Sequence, residues 1–248
     1  MLRFTMHIEP AIVGEFSASG RLRAALNLGN PVLAHSRTAR ERPAGVTIDL
    51  ARRFAALLGV EVELLEFDTA AKSGAAVAAG AADIGFLAID PKRAEGLHFT
   101  APYVQIEGCY LVRDDSPLRD NAQVDRAGTR VVVGDGSAYQ LFLSRELKHA
   151  TVVKVPTSEG VVDAFLRDPG AQAAAGVRQQ LEADAQRVGG VRLLPGRFMV
   201  IEQAMAMPRG RSTGAAQVLE SFIAEQRASG FVRDALRRHG IEGATALP

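Results

Sequence analysis

The sequence predicts an α/β protein made of two successive units, each a mostly parallel sheet flanked by helices. Three observations lead there. Hydrophobic spacing switches repeatedly between a period near two and a period near 3.6. Strand-like and helix-like segments alternate through the first hundred residues, a pattern that favours parallel pairing. The same alternation restarts after a polar break at residues 113–123.

Residues 22–28 read as a strand, followed by a Gly-Asn-Pro turn. Residues 47–58 place Ile48, Leu50, Ala51, Phe54, Ala55, Leu57 and Leu58 at helical spacing, and Gly59 closes that helix as a cap. Residues 60–67 set Val60, Val62 and Leu64 against Glu61 and Glu63, the period of a half-buried strand. An Ala-rich helix over 70–79 ends at Gly80, and residues 84–89 form a short apolar strand. Asp90 and Pro91 then read as a helix start, with Asp as cap and Pro as first helical residue. Lys92 and Arg93 fall in that first turn, against a dipole that favours anions there. Such a pair either holds an anion at the strand end or is a solvated surface pair.

In the second unit, residues 130–133 are a strand, and Gly134-Asp135-Gly136-Ser137 turns into a helix reaching about Lys148. Residues 152–155 form a strand, and Thr157, Ser158 and Glu159 cap a helix carrying Val161, Val162, Ala164, Phe165 and Leu166. A small-residue strand over 171–177 precedes a helix over 178–187 and extended runs at 191–194 and 199–207. Two helices close the chain, 213–228 stopped by Gly230 and 231–238 stopped by Gly240. These last helices are expected to pack on the first unit.

Composition narrows the function. The 248 residues are 47% apolar and 23% charged, an ordinary globular balance. A net charge of +1 supplies no basic field for nucleic acid, and the absence of Trp leaves few stacking platforms. Cys109 stands alone, which rules out an internal disulfide, and its apolar neighbours Tyr110, Leu111 and Val112 suit a buried small hydrophobe. His7, His35, His98, His149 and His239 are scattered without metal-ligand spacing, so no metal is expected. Gly134 and Gly136 lack the third glycine of a dinucleotide loop, so no cofactor is expected, and Ser137 has no nucleophile elbow around it. No run of 18 apolar residues exists. His7, Glu9 and Pro10 interrupt what would be the apolar core of a secretory signal, so the chain as it stands is expected to be cytoplasmic or to lack its export signal.

Five segments in order resemble the family 3 extracellular solute-binding proteins, which have the type II periplasmic-binding fold and include amino-acid receptors of ABC importers. They are the opening strand at Leu22, the Gly45-Val46-Thr47-Ile48-Asp49-Leu50 helix entry, and Asp83-Ile84-Gly85 with Lys92, Arg93 and Phe99-Thr100-Ala101-Pro102-Tyr103. The other two are Gly134-Asp135-Gly136-Ser137 and Ala228-Ser229-Gly230-Phe231. The resemblance spans about residues 21–240. It implies two lobes joined by two hinge strands that cross near Ile106-Glu107 and Gln203-Ala204, with 21–106 and 204–248 in one lobe, 107–203 in the other, and 1–20 as an extension. It implies a monomer that takes a small polar or carboxylate-bearing solute, works with an ABC permease, and resides in the periplasm.

The resemblance also assigns site residues. Arg93 falls on the position whose guanidinium clamps the ligand carboxylate, a bidentate task that lysine cannot match. Gly136 and Ser137 would offer backbone N–H groups and a hydroxyl from the second lobe, or form a plain helix cap. Asn27 and Asn30 follow the first strand where the family places cleft residues, although Asn30 equally suits an Asn-Pro turn. Tyr139 lines the cleft or packs behind it. Two departures bear on the ligand. Ala88 replaces the hydroxyl-bearing residue of amino-acid binders, and the region from Ala175 to Gln179 lacks the acid that receives an ammonium, presenting Arg178 instead. Arg178 either faces the ligand or pairs with Glu182. An anion or neutral polar ligand is therefore expected in place of a zwitterion. An enzyme of the cyclohexadienyl-acid dehydratase type, using Glu107, Glu202 or Lys72 as acid and base, and a cytoplasmic ligand sensor are the alternatives on the same fold.

Overall fold

The computed structural model describes residues 8–35 and 43–248. Residues 1–7, part of the expected N-terminal extension, and residues 36–42 lie outside the described residues. The first unit contains α1 (Pro10–Phe16), β1 (Arg21–Asn27), α2 (Val46–Leu58), β2 (Glu61–Phe67), α3 (Ala70–Ala78), β3 (Ile84–Ala88) and the short β4 (Leu97–Phe99). A long strand β5 (Val104–Arg113) leads into β6 (Arg130–Gly134), α4 (Ala138–Glu146), β7 (Thr151–Val155), α5 (Val161–Arg167), β8 (Ala173–Val177), α6 (Arg178–Val188) and β9 (Val191–Leu193). The equally long β10 (Met199–Pro208) returns the chain to α7 (Thr213–Ala228), α8 (Phe231–Arg238) and β11 (Thr245–Ala246).

Among the described residues these strands join into one curled sheet in the order β2-β1-β3-β10-β5-β8-β6-β7. β1 pairs in parallel with β2 and β3, and β6 pairs in parallel with β7 and β8, so each half has a parallel core. Between them β5 and β10 run antiparallel, from Met199 opposite Gly108 to Gln203 opposite Val104. Each long strand then serves both halves. The start of β5 pairs β10 and its later residues, from Gly108 to Leu111, pair β8, while the end of β10 pairs β3. These are the two hinge strands of a two-lobed fold.

Apolar burial explains the layers. Phe54 of α2 meets Phe16 edge-on and Phe222 of α7 at ring-centroid distances of 5.0 Å, which docks three helices on one face of the first half. Val77 of α3 and Leu87 of β3 fill the opposite face. In the second half, Cys109, Leu111, Val132, Phe165 and Leu181 form a separate cluster, so Cys109 is the buried small hydrophobe its neighbours indicate, and burial pushes its thiol up to about 11. The terminal helices pack on the first half as expected.

Two local expectations are corrected. No α-helix starts at Asp90-Pro91; a single 3₁₀ turn, Arg93–Glu95, leads directly into β4. Asp90 accepts from the Lys92 N–H at 2.9 Å, closing a tight turn, so the conflict between Arg93 and a helix dipole does not arise. Gly160 caps α5 with no side-chain bond to the helix, and Thr157 instead accepts from the Gly160 N–H.

Candidate ligand-binding site

The carboxyl ends of the parallel strands in both halves face each other, the place where open α/β sheets present ligand groups. Asn27, Gly29 and Asn30 follow β1, Ala88 ends β3, and Thr69 and Ala70 start α3. Facing them are Asp135, Ser137, Ala138 and Tyr139 after β6, Ser158 after β7, and Val177 at the end of β8. Ile201 and Gln203 of β10 form the floor. Together they enclose a cavity of about 40 Å³.

Arg93 bridges the two halves. Its Nη1 donates to the Ala88 carbonyl at 3.0 Å and its Nη2 to the Gly136 carbonyl at 2.9 Å. Burial pushes the guanidinium down to about 10, with the Asp90 carboxylate opposing the shift, so it stays charged at neutral pH. Asp90, almost fully buried, is itself engaged by Arg145 of α4 at 2.9 Å, an ion pair that adds a second contact across the gap. The three other N–H donors of the Arg93 fork have no acceptor among the described residues.

Two helix N-termini, one from each half, also open on the cavity. Thr69 caps α3 by accepting from the Lys72 N–H, and Ser137 caps α4 by accepting from the Gln140 N–H. The first-turn N–H groups of Ala70 and of Ala138 and Tyr139 lack intrahelical acceptors, as at any helix start, and carry the positive ends of both dipoles. The sole acid in the lining among the described residues, Asp135, pairs with Lys154 at 3.1 Å and is well exposed. Arg93 and the two helix starts make the described lining favourable to an anion.

Of the residues singled out from sequence, Asn27, Asn30, Ala88, Arg93, Ser137 and Tyr139 line one cavity. Tyr139 both lines it and packs behind it: its ring is buried and its hydroxyl donates to Ser158 Oγ at 2.8 Å. Asn27 Oδ1 accepts from the Gly29 N–H, which holds the loop after β1. Gly136 departs from expectation. Its N–H donates to Gln140 Oε1 at 3.0 Å, and it offers its carbonyl to Arg93 instead. Its φ of +67° and a built Cβ position 2.5 Å from the Ala71 Cβ show why glycine stands there. Arg178 does not line the cavity. Its Nε donates to Glu107 at 2.6 Å, its Nη2 to the Gly196 carbonyl at 2.6 Å, and Glu182 lies 3.8 Å away, so its charge is spent on the hinge. Sequence reasoning missed Thr69, Ser158, Val177 and Ile201 as lining residues; their common signal is a position at or just after a predicted strand, or in a hinge strand.

The model of the bacterial extracellular solute-binding proteins, family 3, matches residues 23–240. The chain belongs to this family. Solved structures agree on the fold of this family 3 protein. An amino acid ABC transporter substrate-binding protein from Streptococcus pneumoniae, bound to L-arginine, superposes with a TM-score of 0.75 at 19% identity, covering 90% of this chain and 95% of that one. The L-cysteine solute receptor of Neisseria gonorrhoeae gives 0.75 at 22% identity, over 91% and 92%. An ancestral amino acid-binding protein, precursor of cyclohexadienyl dehydratase, gives 0.74 at 18% identity, over 91% and 98%. No curated protein matches by sequence. No helix among the described residues is long and apolar enough to cross a membrane.

Proposed function

We propose that this solute-binding protein closes its halves on a small carboxylate-bearing or polar solute that is not a zwitterion, and that it delivers the solute to an ABC-type importer from the periplasm as a monomer. One observation carries the ligand class. The guanidinium of Arg93 and two helix N-termini converge on a cavity whose sole acid among the described residues is paired elsewhere. An anion gains from that field, whereas an ammonium would be buried without a countercharge. Val177 and Ala88 give the lining apolar groups, and Ala88 stands where the family resemblance expects a hydroxyl. Residues 21–106 with 204–248 act as one closing lobe and 107–203 as the other.

Binding without turnover is the reading the side chains support. Glu107 is held by Arg197 and Arg178, Glu202 accepts from Gln105 at 3.0 Å, and Lys72 pairs with Asp68 at 2.7 Å; none of the three lines the cavity. A general acid or base must reach the reacting proton. Isothermal calorimetry with parallel panels of organic acids and amino acids tests the proposal. Organic acids are expected to bind, and tight binding of an amino acid would overturn the ligand class.

A further inference from the structure

We propose that Asn30 selects the ligand, its carboxamide oxygen accepting from an uncharged donor, and that the molecule held beside Arg93 is a small hydroxy acid. The inference rests on the carboxylate reading above and deepens it. Asn30 is only 9% exposed and lines the same cavity as Arg93. Its Oδ1 is buried and has no hydrogen-bond partner among the described residues. Its backbone is fixed, since the N–H donates to the Asn27 carbonyl and its carbonyl accepts from Leu33 and Ala34. A turn needs only those backbone bonds. Buried acceptors are almost always paired, so one left free on a residue that lines a ligand cavity points to a donor on the ligand. Asn27 is the weaker candidate, because its Oδ1 already accepts from the Gly29 N–H.

The charge of that donor follows from its surroundings. An amide oxygen accepts from a hydroxyl or an ammonium alike, but it brings no negative charge. Arg93, the starts of α3 and α4, and the lack of a free carboxylate among the described lining residues all penalise a cation at this point. A hydroxyl escapes the penalty. The cavity is small, about 40 Å³, which favours a compact acid over a long one.

The experiment is calorimetry on the full chain with matched pairs: glycolate against acetate, and lactate against propionate, with alanine alongside. Each hydroxy acid is expected to bind about tenfold or more tighter than its deoxy partner, because the partner leaves Asn30 unpaired. Alanine is expected not to bind. In Asn30→Ala the ratio between lactate and propionate should fall toward one. In Asn30→Asp, which adds a countercharge, alanine should gain affinity while lactate loses it. If neither variant folds, judged by its melting curve, the wild-type pairs still decide. Equal affinity for lactate and propionate overturns the role of Asn30 and leaves the carboxylate reading standing. Binding of alanine but of no organic acid overturns both. Silence from every compound overturns the small hydroxy-acid assignment.

Discussion

Arg93 and Arg178 stand at matching places in the two halves of the molecule, yet their charges meet opposite fates. Each follows a strand that lies beside a hinge strand, β3 beside β10 and β8 beside β5. Arg178 meets Glu107 and Glu182 and is absorbed into the hinge: burial pulls its pKa down, but Glu107, Cys109 and Glu182 together outweigh that, and the guanidinium is held above its ordinary value. Arg93 meets only carbonyl oxygens, because the carboxylate nearest to it, Asp90, is held by Arg145. Position at a strand end places both residues near the gap. The supply of carboxylates around each then decides which one remains available to an outside anion.

The largest expected effect breaks the pair directly. Arg93→Gln should weaken carboxylate binding by about 10- to 150-fold, the range of a lost charge-assisted contact, measured by calorimetry. Arg178→Gln should change affinity by less than about threefold and instead lower the melting temperature by about 2–4 °C, which follows from roughly 1 kcal/mol in a chain of this size. Equal losses of affinity in the two variants would erase the distinction.

Gly136→Ala leaves both charges in place and obstructs the approach of the halves. The added methyl would lie 2.5 Å from the Ala71 Cβ, on a backbone with φ of +67°. Affinity should fall about tenfold, with a larger radius of gyration by small-angle scattering. Next in size, Arg145→Gln removes the partner of buried Asp90 and so disfavours the closed arrangement. Apparent affinity should drop about three- to tenfold through the smaller closed population. The smallest effect is in pH. Only the charged guanidinium of Arg93 pairs with a carboxylate, and its pKa is depressed to about 10. Binding should therefore fade as pH rises through about 10, whereas an ordinary arginine would hold its affinity past pH 11.

The fold was legible where local signals agree. Thr213–Ala228 and Phe231–Arg238 start and stop as expected, because Ser212 caps the first and Gly230 separates the two with a left-handed φ of +74°. The helix expected at Asp90 failed because its cap and proline serve a turn equally well, and Gly96 and β4 follow within one turn. The helix α1 went unread because Pro10 and Gly14 break its pattern. Tertiary contacts hold it: Phe16 is fully buried, and Glu15 accepts from the Ser212 N–H at 3.0 Å. The site divides in the same way. Arg93, Asn30, Ser137 and Tyr139 follow from strand-end positions and the family pattern. The engagement of Arg178 by Glu107, 71 residues earlier, depends on β5 lying against β8, which no local pattern encodes.

The position of β10 in the sheet also sets the order in which the molecule can be finished as it is made. β3 ends at Ala88, but the neighbour that completes its edge begins at Met199, about 110 residues later. At roughly 5–20 residues per second a ribosome needs about 6–22 s to cover that distance. Throughout that interval β3 lacks this neighbour, whereas β6, β7 and β8 can all pair once Val177 is made, about 22 residues before β10 begins. Synthesis thus completes the later half first, and the chain's opening strands wait for its last third.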